Sequence, residues 1–308
     1  MTSADRFYSE REINSSLGLG EYDLEQFWNW ITGETLLPIA SDDAYKGTRQ
    51  FYRGQPQASY GLTSSLFRLC AQDSRDVNED DLARAESAIL DAMRNEGLGR
   101  LMTDGELLMI CQHHGIPTRL LDVSTGPLEA LFFAIDREDA SDGRLFIIAP
   151  HGENQPGGQA DLKISSSNQL PWHGVVRGTK RVNGDWSTVV RVVNEAPLDP
   201  RMRAQAGKFL VGGVFRTWAG MAMPGVPKDD RTRITSMAIQ FPKNKTKKPA
   251  ARWSATGWTV RIHASWKRDL RRMLAEKAGI SHDTMYPPVT EVRRLATHVA
   301  LASLTANL

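Results

Sequence analysis

Cysteine is scarce in this chain: 308 residues hold only Cys70 and Cys111. Two thiols at that separation give neither a metal-ligand spacing nor a disulfide framework, so both read as buried small hydrophobes in a reducing compartment. Long apolar runs are missing too. The longest apolar stretch is broken by Asp122, Glu129 and Asp136, well short of the roughly 18 uninterrupted residues that a transmembrane helix needs. The first residues are acidic and interrupted instead of basic and then apolar, which argues against a secretory signal and for the cytoplasm. No repeat of fixed period occurs, which excludes solenoids and propellers. What remains, 41% hydrophobic and 24% charged residues, is the composition of a folded chain with a sizeable core, long enough for one large domain or two ordinary ones.

A net charge of +2 conceals a gradient along the chain. Residues 1–150 carry 13 Lys+Arg against 25 Asp+Glu, residues 151–240 carry 12 against 7, and residues 241–308 carry 13 against 4. Two consequences stay open. The basic end can draw in a polyanion such as nucleic acid or a dinucleotide phosphate, or the two ends can neutralise each other within the fold. Lys243, Lys245, Lys247 and Lys248, between Pro242 and Pro249, form a basic loop suited to phosphate contacts that do not read sequence. Most of the eight tryptophans read as core; Trp253 and Trp258, beside that loop, read either as packing or as stacking platforms for bases.

Helical patterns dominate the first half. Leu24, Phe27, Trp28 and Ile31 recur at helical spacing. Asn78 with Glu79, Asp80 and Asp81 caps a helix whose face is Leu82, Ala85, Ile89 and Met93, and Gly97 ends it. Thr103 and Glu106 have capping-box spacing ahead of Leu107, Leu108, Ile110 and Cys111. Gly115 and Pro117 stop that helix, so His113 and His114 fall in its last turn. Gly126-Pro127 opens another, packed through Ala130, Leu131, Phe133 and Ala134. Strand-like runs follow at residues 143–149, 188–193, 234–241 and 259–262, with loops over 151–185. Further on, Trp266, Leu270, Met273 and Leu274 form an apolar stripe opposite Lys267, Arg268, Arg271 and Arg272, and a last helix carries Val292, Leu295, Val299 and Ala302. Helices first, strands later and no βαβ alternation predict an α+β fold, a helical N-terminal half packed on a mostly antiparallel sheet.

Four blocks carry chemistry. Phe51-Tyr52-Arg53-Gly54-Gln55 sets an arginine on an aromatic base beside a glycine that admits close approach of a ligand. Gln112-His113-His114-Gly115-Ile116-Pro117-Thr118-Arg119-Leu120-Leu121-Asp122 joins a helix end to a loop. Pro127-Leu128 through Leu131-Phe132-Phe133-Ala134 follows it, and Arg201-Met202-Arg203-Ala204-Gln205-Ala206-Gly207-Lys208-Phe209 comes late. In this order, with Gly279-Ile280 and Thr284-Met285-Tyr286-Pro287, they resemble the FRG domain family, named for its Phe/Tyr-Arg-Gly motif. His114 stands where that family usually carries Tyr. The resemblance implies an N-terminal helical extension over residues 1–45 and an FRG-type domain over residues 46–308.

The aromatic-Arg-Gly motif is in turn similar to the first motif of ADP-ribosyltransferases, where an arginine at a strand end grips the NAD phosphates and the nicotinamide ribose. That similarity implies an ADP-ribosyltransferase-like fold and NAD as substrate, with Arg53, flanked by Tyr52 and Gly54, in the gripping role. A planar guanidinium suits it, because its fork binds two phosphate oxygens and stays charged. Transfer also needs a group that stabilises the cationic ribose. Transferases of this kind usually use a glutamate; here the late block offers Gln205, Glu195 lies ten residues upstream, and Asp122 is a third source of a carboxylate, since an amide cannot act as a base. Arg119 and Arg203 are further phosphate contacts under this reading. Arg119 reads alternatively as paired within the fold, with Asp122 or Asp136, and Arg203, together with Arg201 and Lys208, as solvated surface.

His113, at a helix C-terminus, is placed to hydrogen-bond Asp122, either for acid–base work or to tie the loop down. Adjacent His113 and His114 diverge by about 100° on a helix, so no metal is expected. Thr63-Ser64-Ser65 reads as a turn or helix cap. The function implied is an NAD-binding, ADP-ribosyltransferase-like protein that modifies a macromolecule, nucleic acid included, in a toxin or phage-defence setting. Its rivals are a non-catalytic nucleotide or nucleic-acid binding module and a phosphodiesterase or nuclease using His113 with Asp122.

Overall fold

The computed structural model describes residues 2–33, 49–72, 77–151, 161–173, 175–177, 180–182, 186, 189–193, 200–214, 223, 226–243 and 254–287. Its helices are α1 (Ser3–Ser9), α2 (Leu24–Ile31), α3 (Ser65–Cys70), α4 (Glu79–Asn95), α5 (Asp104–His113), α6 (Pro127–Ile135), α7 (Pro200–Ala204), α8 (Lys228–Ile234), α9 (Lys267–Ala278) and α10 (His282–Met285). Where the sequence supplies caps, helices start. Asn78 and Asp81 exchange hydrogen bonds in a capping box at α4, and Thr103 and Glu106 do so at α5. Ser64 caps α3, which settles Thr63-Ser64-Ser65 as a helix start. Gly115, at φ +75°, gives α5 its left-handed exit.

The strands are β1 (Phe51–Gln55), β2 (Leu121–Ser124), β3 (Gly143–Pro150), β4 (Asp161–Leu162), β5 (Val175–Arg177), β6 (Lys180–Val182), β7 (Val190–Val193), β8 (Gly207–Gly212), β9 (Ile239–Gln240) and β10 (Ala255–Ile262). Eight of them form one sheet in the order β4-β7-β8-β2-β1-β3-β10-β9, while β5 and β6 pair separately. Only the two outermost pairs, β4 with β7 and β10 with β9, are parallel. The fold is therefore α+β with a mostly antiparallel sheet, as expected. Its central strands β1, β2 and β3 come from the first half of the chain, interleaved with the helices.

Both faces of the sheet are covered, so β3 is buried along its whole length and is apolar from Leu145 to Ala149, with the charged Arg144 buried beside them. Leu145, Ile147 and Ala149 join one core with Phe27, Ile31, Leu131, Trp258, Trp266 and Leu270, under α2, α6 and α9. Phe146 and Ile148 point the other way, into a core with Tyr8, Phe51, Leu121 and Ile234, under α1 and α8. Residues from α1 to α2 thus belong to the same cores as the sheet. No helix among the described residues is long and apolar enough to cross a membrane.

Three expectations change. Residues 234–241 hold the end of α8, a turn and the two-residue β9 instead of one strand. Lys267 leaves the exposed basic wall: it is 1% exposed, and its ammonium donates to the carbonyls of Pro56, Arg137 and Glu138 at 2.8–2.9 Å. Trp258 is buried in the core and offers no stacking platform. Trp253, Lys245, Lys247, Lys248 and the helix expected around Val292 to Ala302 lie outside the described residues.

The charge gradient is partly consumed inside the fold. Arg144, fully buried on β3, bonds Asp5 at 3.1 Å and Glu12 at 3.0 Å, and Arg261 bonds the same two carboxylates at 2.8 and 2.9 Å as well as Asp142 at 3.1 Å. Lys243 pairs with Glu10 at 2.5 Å. For Asp5, burial alone would raise the pKa, but the hydrogen bond and charge of Arg261, the charge of Arg144 and a hydrogen bond from Ser9 outweigh it and hold the carboxyl below its usual value. A depressed carboxyl contributes stability above its unfolded value and loses it as pH falls through the folded one. Urea midpoints of the wild type should therefore fall below about pH 4 more steeply than those of Asp5→Asn. Parallel pH profiles would place the acid sensitivity elsewhere.

Candidate functional site

The site begins where the sheet opens. β1 and β2 are antiparallel neighbours joined at a single registered pair, Tyr52 with Ser124. Past it no further pair joins the two strands; Asp122 pairs with Phe209 on β8, and its carbonyl accepts a hydrogen bond from Arg53 Nη1 at 2.5 Å. The guanidinium thus spans the gap between the strands. Its Nη1 lies 3.8 Å from the Asp122 carboxylate, and its Nε is buried with no hydrogen-bond partner among the described residues. Burial pulls the Arg53 pKa below its ordinary value, with Asp122 opposing the shift and Arg68 adding to it.

A relay from the helix–loop block orients Asp122. Thr118, fully buried, donates through Oγ1 to Gln112 Oε1 at 2.5 Å, and Gln112 Nε2 donates to Asp122 Oδ2 at 2.8 Å. Gln112 stands one residue before His113 in the last turn of α5, and the loop after Gly115 brings Asp122 back to it. His113 and His114 flank this relay, their ring centroids 5.2 Å apart. The Tyr52 hydroxyl donates to Gln50 at 3.0 Å, and burial pushes its pKa up to about 12, so it stays protonated at neutral pH.

These groups share a cleft of about 500 Å³, a size suited to a nucleotide-scale ligand. Tyr52, Arg53 and Gly54 come from β1, His113, His114 and Asp122 from the end of α5 and from β2, Arg201, Gln205, Lys208 and Phe209 from α7 and β8, Tyr286 from the chain after α10, and Phe133, Asp136 and Arg137 from the end of α6. The lining holds four cations, Arg53, Arg137, Arg201 and Lys208, against the two carboxylates Asp122 and Asp136. Such a surplus favours an anionic ligand.

Residues 48–143 match the family model of the FRG domain. The chain carries an FRG domain. The FRG span runs from just before β1 to the first residue of β3, so it contains Arg53, the Gln112–Thr118–Asp122 relay and α6. The wall made by Arg201 to Phe209 and by Tyr286 lies beyond it. No curated protein and no solved structure matches the chain.

Of the residues singled out in the sequence, Tyr52, Arg53, Gly54, His113, Asp122 and Gln205 meet in the cleft. Arg119 does not. It is 2% exposed and pairs with Glu86 at 3.1 Å and Glu79 at 2.5 Å, neither of them the partner expected. Arg203 is exposed outside the lining, whereas Arg201 is part of it. Glu195 lies outside the described residues. Gln205 donates its side-chain amide to the Met285 carbonyl at 3.1 Å. Gly54 is also required for packing: a Cβ there would sit 1.8 Å from the Ala130 carbonyl oxygen on α6. Gln112, which links Thr118 to Asp122, is marked in the sequence only by its position at a helix end ahead of a Gly-Ile-Pro turn and an aspartate.

Proposed function

We propose that the cleft binds a dinucleotide of the NAD type by its pyrophosphate and transfers the ADP-ribose portion to a macromolecule. The observation that carries this reading is the Arg53 guanidinium, fixed at the split between β1 and β2 by the Asp122 carbonyl and facing a cleft with more cations than carboxylates. A pyrophosphate presents paired anionic oxygens to such a fork. Tyr52, Phe133, Phe209 and Tyr286 supply aromatic surface beside it for the flat ring of a base.

In the transfer, the bond between the nicotinamide nitrogen and ribose C1′ breaks, and its electron pair leaves with nicotinamide. C1′ then bonds to an acceptor oxygen or nitrogen, whose proton passes to a carboxylate. We assign that carboxylate, and the stabilisation of the cationic ribose, to Asp122, which is exposed to the cleft and oriented by Gln112. Binding without transfer is the second reading. It is favoured by the lack of a glutamate among the described lining residues and by the engagement of the Gln205 amide with Met285.

Arg53→Ala should weaken NAD binding about 10- to 100-fold by calorimetry, the value of a charge-assisted contact, with circular dichroism unchanged. Arg53→Lys should recover only part of the loss, because an ammonium lacks the fork. Incubation with labelled NAD and RNA, DNA or lysate then separates the readings. Label in a macromolecule supports transfer, binding with intact NAD supports the module, and cut nucleic acid with no use of NAD returns the chemistry to His113 and Asp122. An Arg53→Ala protein that binds NAD as the wild type does would remove Arg53 from the site.

A further inference from the structure

We propose that Arg201 is a second phosphate ligand of the cleft that Arg53 also lines, and that Tyr286 and Gln205 are the residues that position it. The proposal rests on the nucleotide reading of the same cleft and specifies its anion site as a two-arginine clamp for adjacent phosphate groups.

Arg201 lies on α7 and its side chain lines the cleft. Its guanidinium carbon stands 4.7 Å from the centroid of the Tyr286 ring, within range of a cation–π contact. A cation–π contact made through the face of a guanidinium leaves the N–H groups of its edge for other partners, and a phosphate binds arginine through that edge.

The ring is itself held in place. Tyr286 rests on Phe132 at 6.0 Å, Phe133 at 6.5 Å and His282 at 4.8 Å between centroids. Met285, the residue before it, is 1% exposed in the core under α9. The Met285 carbonyl accepts from Gln205 Nε2 at 3.1 Å, and the Gln205 backbone N–H donates to the Arg201 carbonyl at 3.0 Å. One short corner of chain therefore grips the α10 corner at two points, by Gln205 on the backbone and by Arg201 on the ring. Gln205 acts through Tyr286 on Arg201, which accounts for a glutamine where a transferase would place a carboxylate.

The test measures affinity for two probes, inorganic pyrophosphate and NAD, by calorimetry. Arg201→Ala should lose about tenfold in pyrophosphate affinity. Tyr286→Leu should lose about two- to fivefold, and Tyr286→Phe, which keeps the ring, should restore it. Gln205→Glu replaces the amide donor with an acceptor and should weaken pyrophosphate binding with no gain in NAD turnover. Unchanged pyrophosphate affinity in Arg201→Ala overturns the clamp, as does no pyrophosphate binding by the wild type. A Tyr286→Phe protein as weak as Tyr286→Leu, or a rise in turnover in Gln205→Glu, overturns the positioning roles. Wild-type protein that binds pyrophosphate but not NAD supports the clamp and sinks the dinucleotide reading, so the two failures are distinguishable.

Discussion

Replacing Arg119 with leucine should cost about 3–5 kcal/mol of stability, the usual result of breaking a buried ion pair from one side. Arg119 donates to Glu86 at 3.1 Å and to Glu79 at 2.5 Å, and its guanidinium lies 5.4 Å from the Trp172 ring. Glu86 in turn accepts from Trp172 Nε1 at 2.6 Å and meets His173 Nε2 at 2.9 Å, while Glu79 also receives the Val214 backbone N–H at 2.9 Å. The cluster therefore ties α4 to the loop leading into β2, to the Pro171–His173 turn and to the chain after β8. For Glu86, burial alone would raise the pKa; Arg119, with His173 and Trp172, outweighs it and holds the carboxyl below the ordinary range. Without Arg119 the carboxyl loses the largest of the interactions that oppose the cost of its burial. Urea unfolding followed by tryptophan fluorescence reads the loss. The double variant Glu86→Leu/Arg119→Leu should recover part of it, because no lone charge remains from that pair. If Arg119→Leu kept full stability and lost NAD affinity instead, Arg119 would be a ligand contact after all.

The second large effect is expected from a single methyl group. In Gly54→Ala the new Cβ meets the Ala130 carbonyl oxygen at 1.8 Å and the Ala134 nitrogen at 2.6 Å, far inside contact distance. Both are backbone atoms of α6, so no side chain can turn away and the helix has to retreat from β1. Overpacking of this kind costs about 1–3 kcal/mol, or more where backbone must move. Helix α6 also carries Phe133 and leads into Asp136 and Arg137, so its retreat should distort the cleft as well. A lowered thermal midpoint together with weaker NAD binding is the expected pair of results. Full stability with lost binding would return the glycine of the Tyr-Arg-Gly motif to the ligand.

Both predictions concern residues that the sequence marks clearly but whose neighbours it hides. The caps of α4, α5 and α6 are local chemistry, legible from residues three or four apart, and the helices start where those residues stand. The strands that matter most were harder to read. Leu121–Ser124 is too short for a β period to show, and β8 follows the Gln205-Ala206 corner with two small or charged residues. Over residues 234–241, where β-branched content predicts one strand, α8 runs on to Ile234 and only Ile239–Gln240 pairs in the sheet. The split between β1 and β2 is a relation between residues about 70 positions apart and leaves no local trace. Arg119 found its partners 33 and 40 residues upstream. Glu86 did carry a signal: it lies four residues from both Leu82 and Leu90, on the buried face of α4, where a charge demands an opposite one.

The register of β3 bears on how the molecule can be taken apart. Every residue of β3 has a partner on β10, from Gly143 with Ile262 to Pro150 with Ala255, and the buried guanidinium of Arg144 is neutralised by carboxylates near the start of the chain. A fragment trimmed to residues 48–143 would keep Arg53 and surrender β3 with Arg144, the α7–β8 part of the cleft and the N-terminal segment that packs on the sheet. Sequence kinship and autonomous folding have different borders here, and a minimal recombinant version has to be cut along the second.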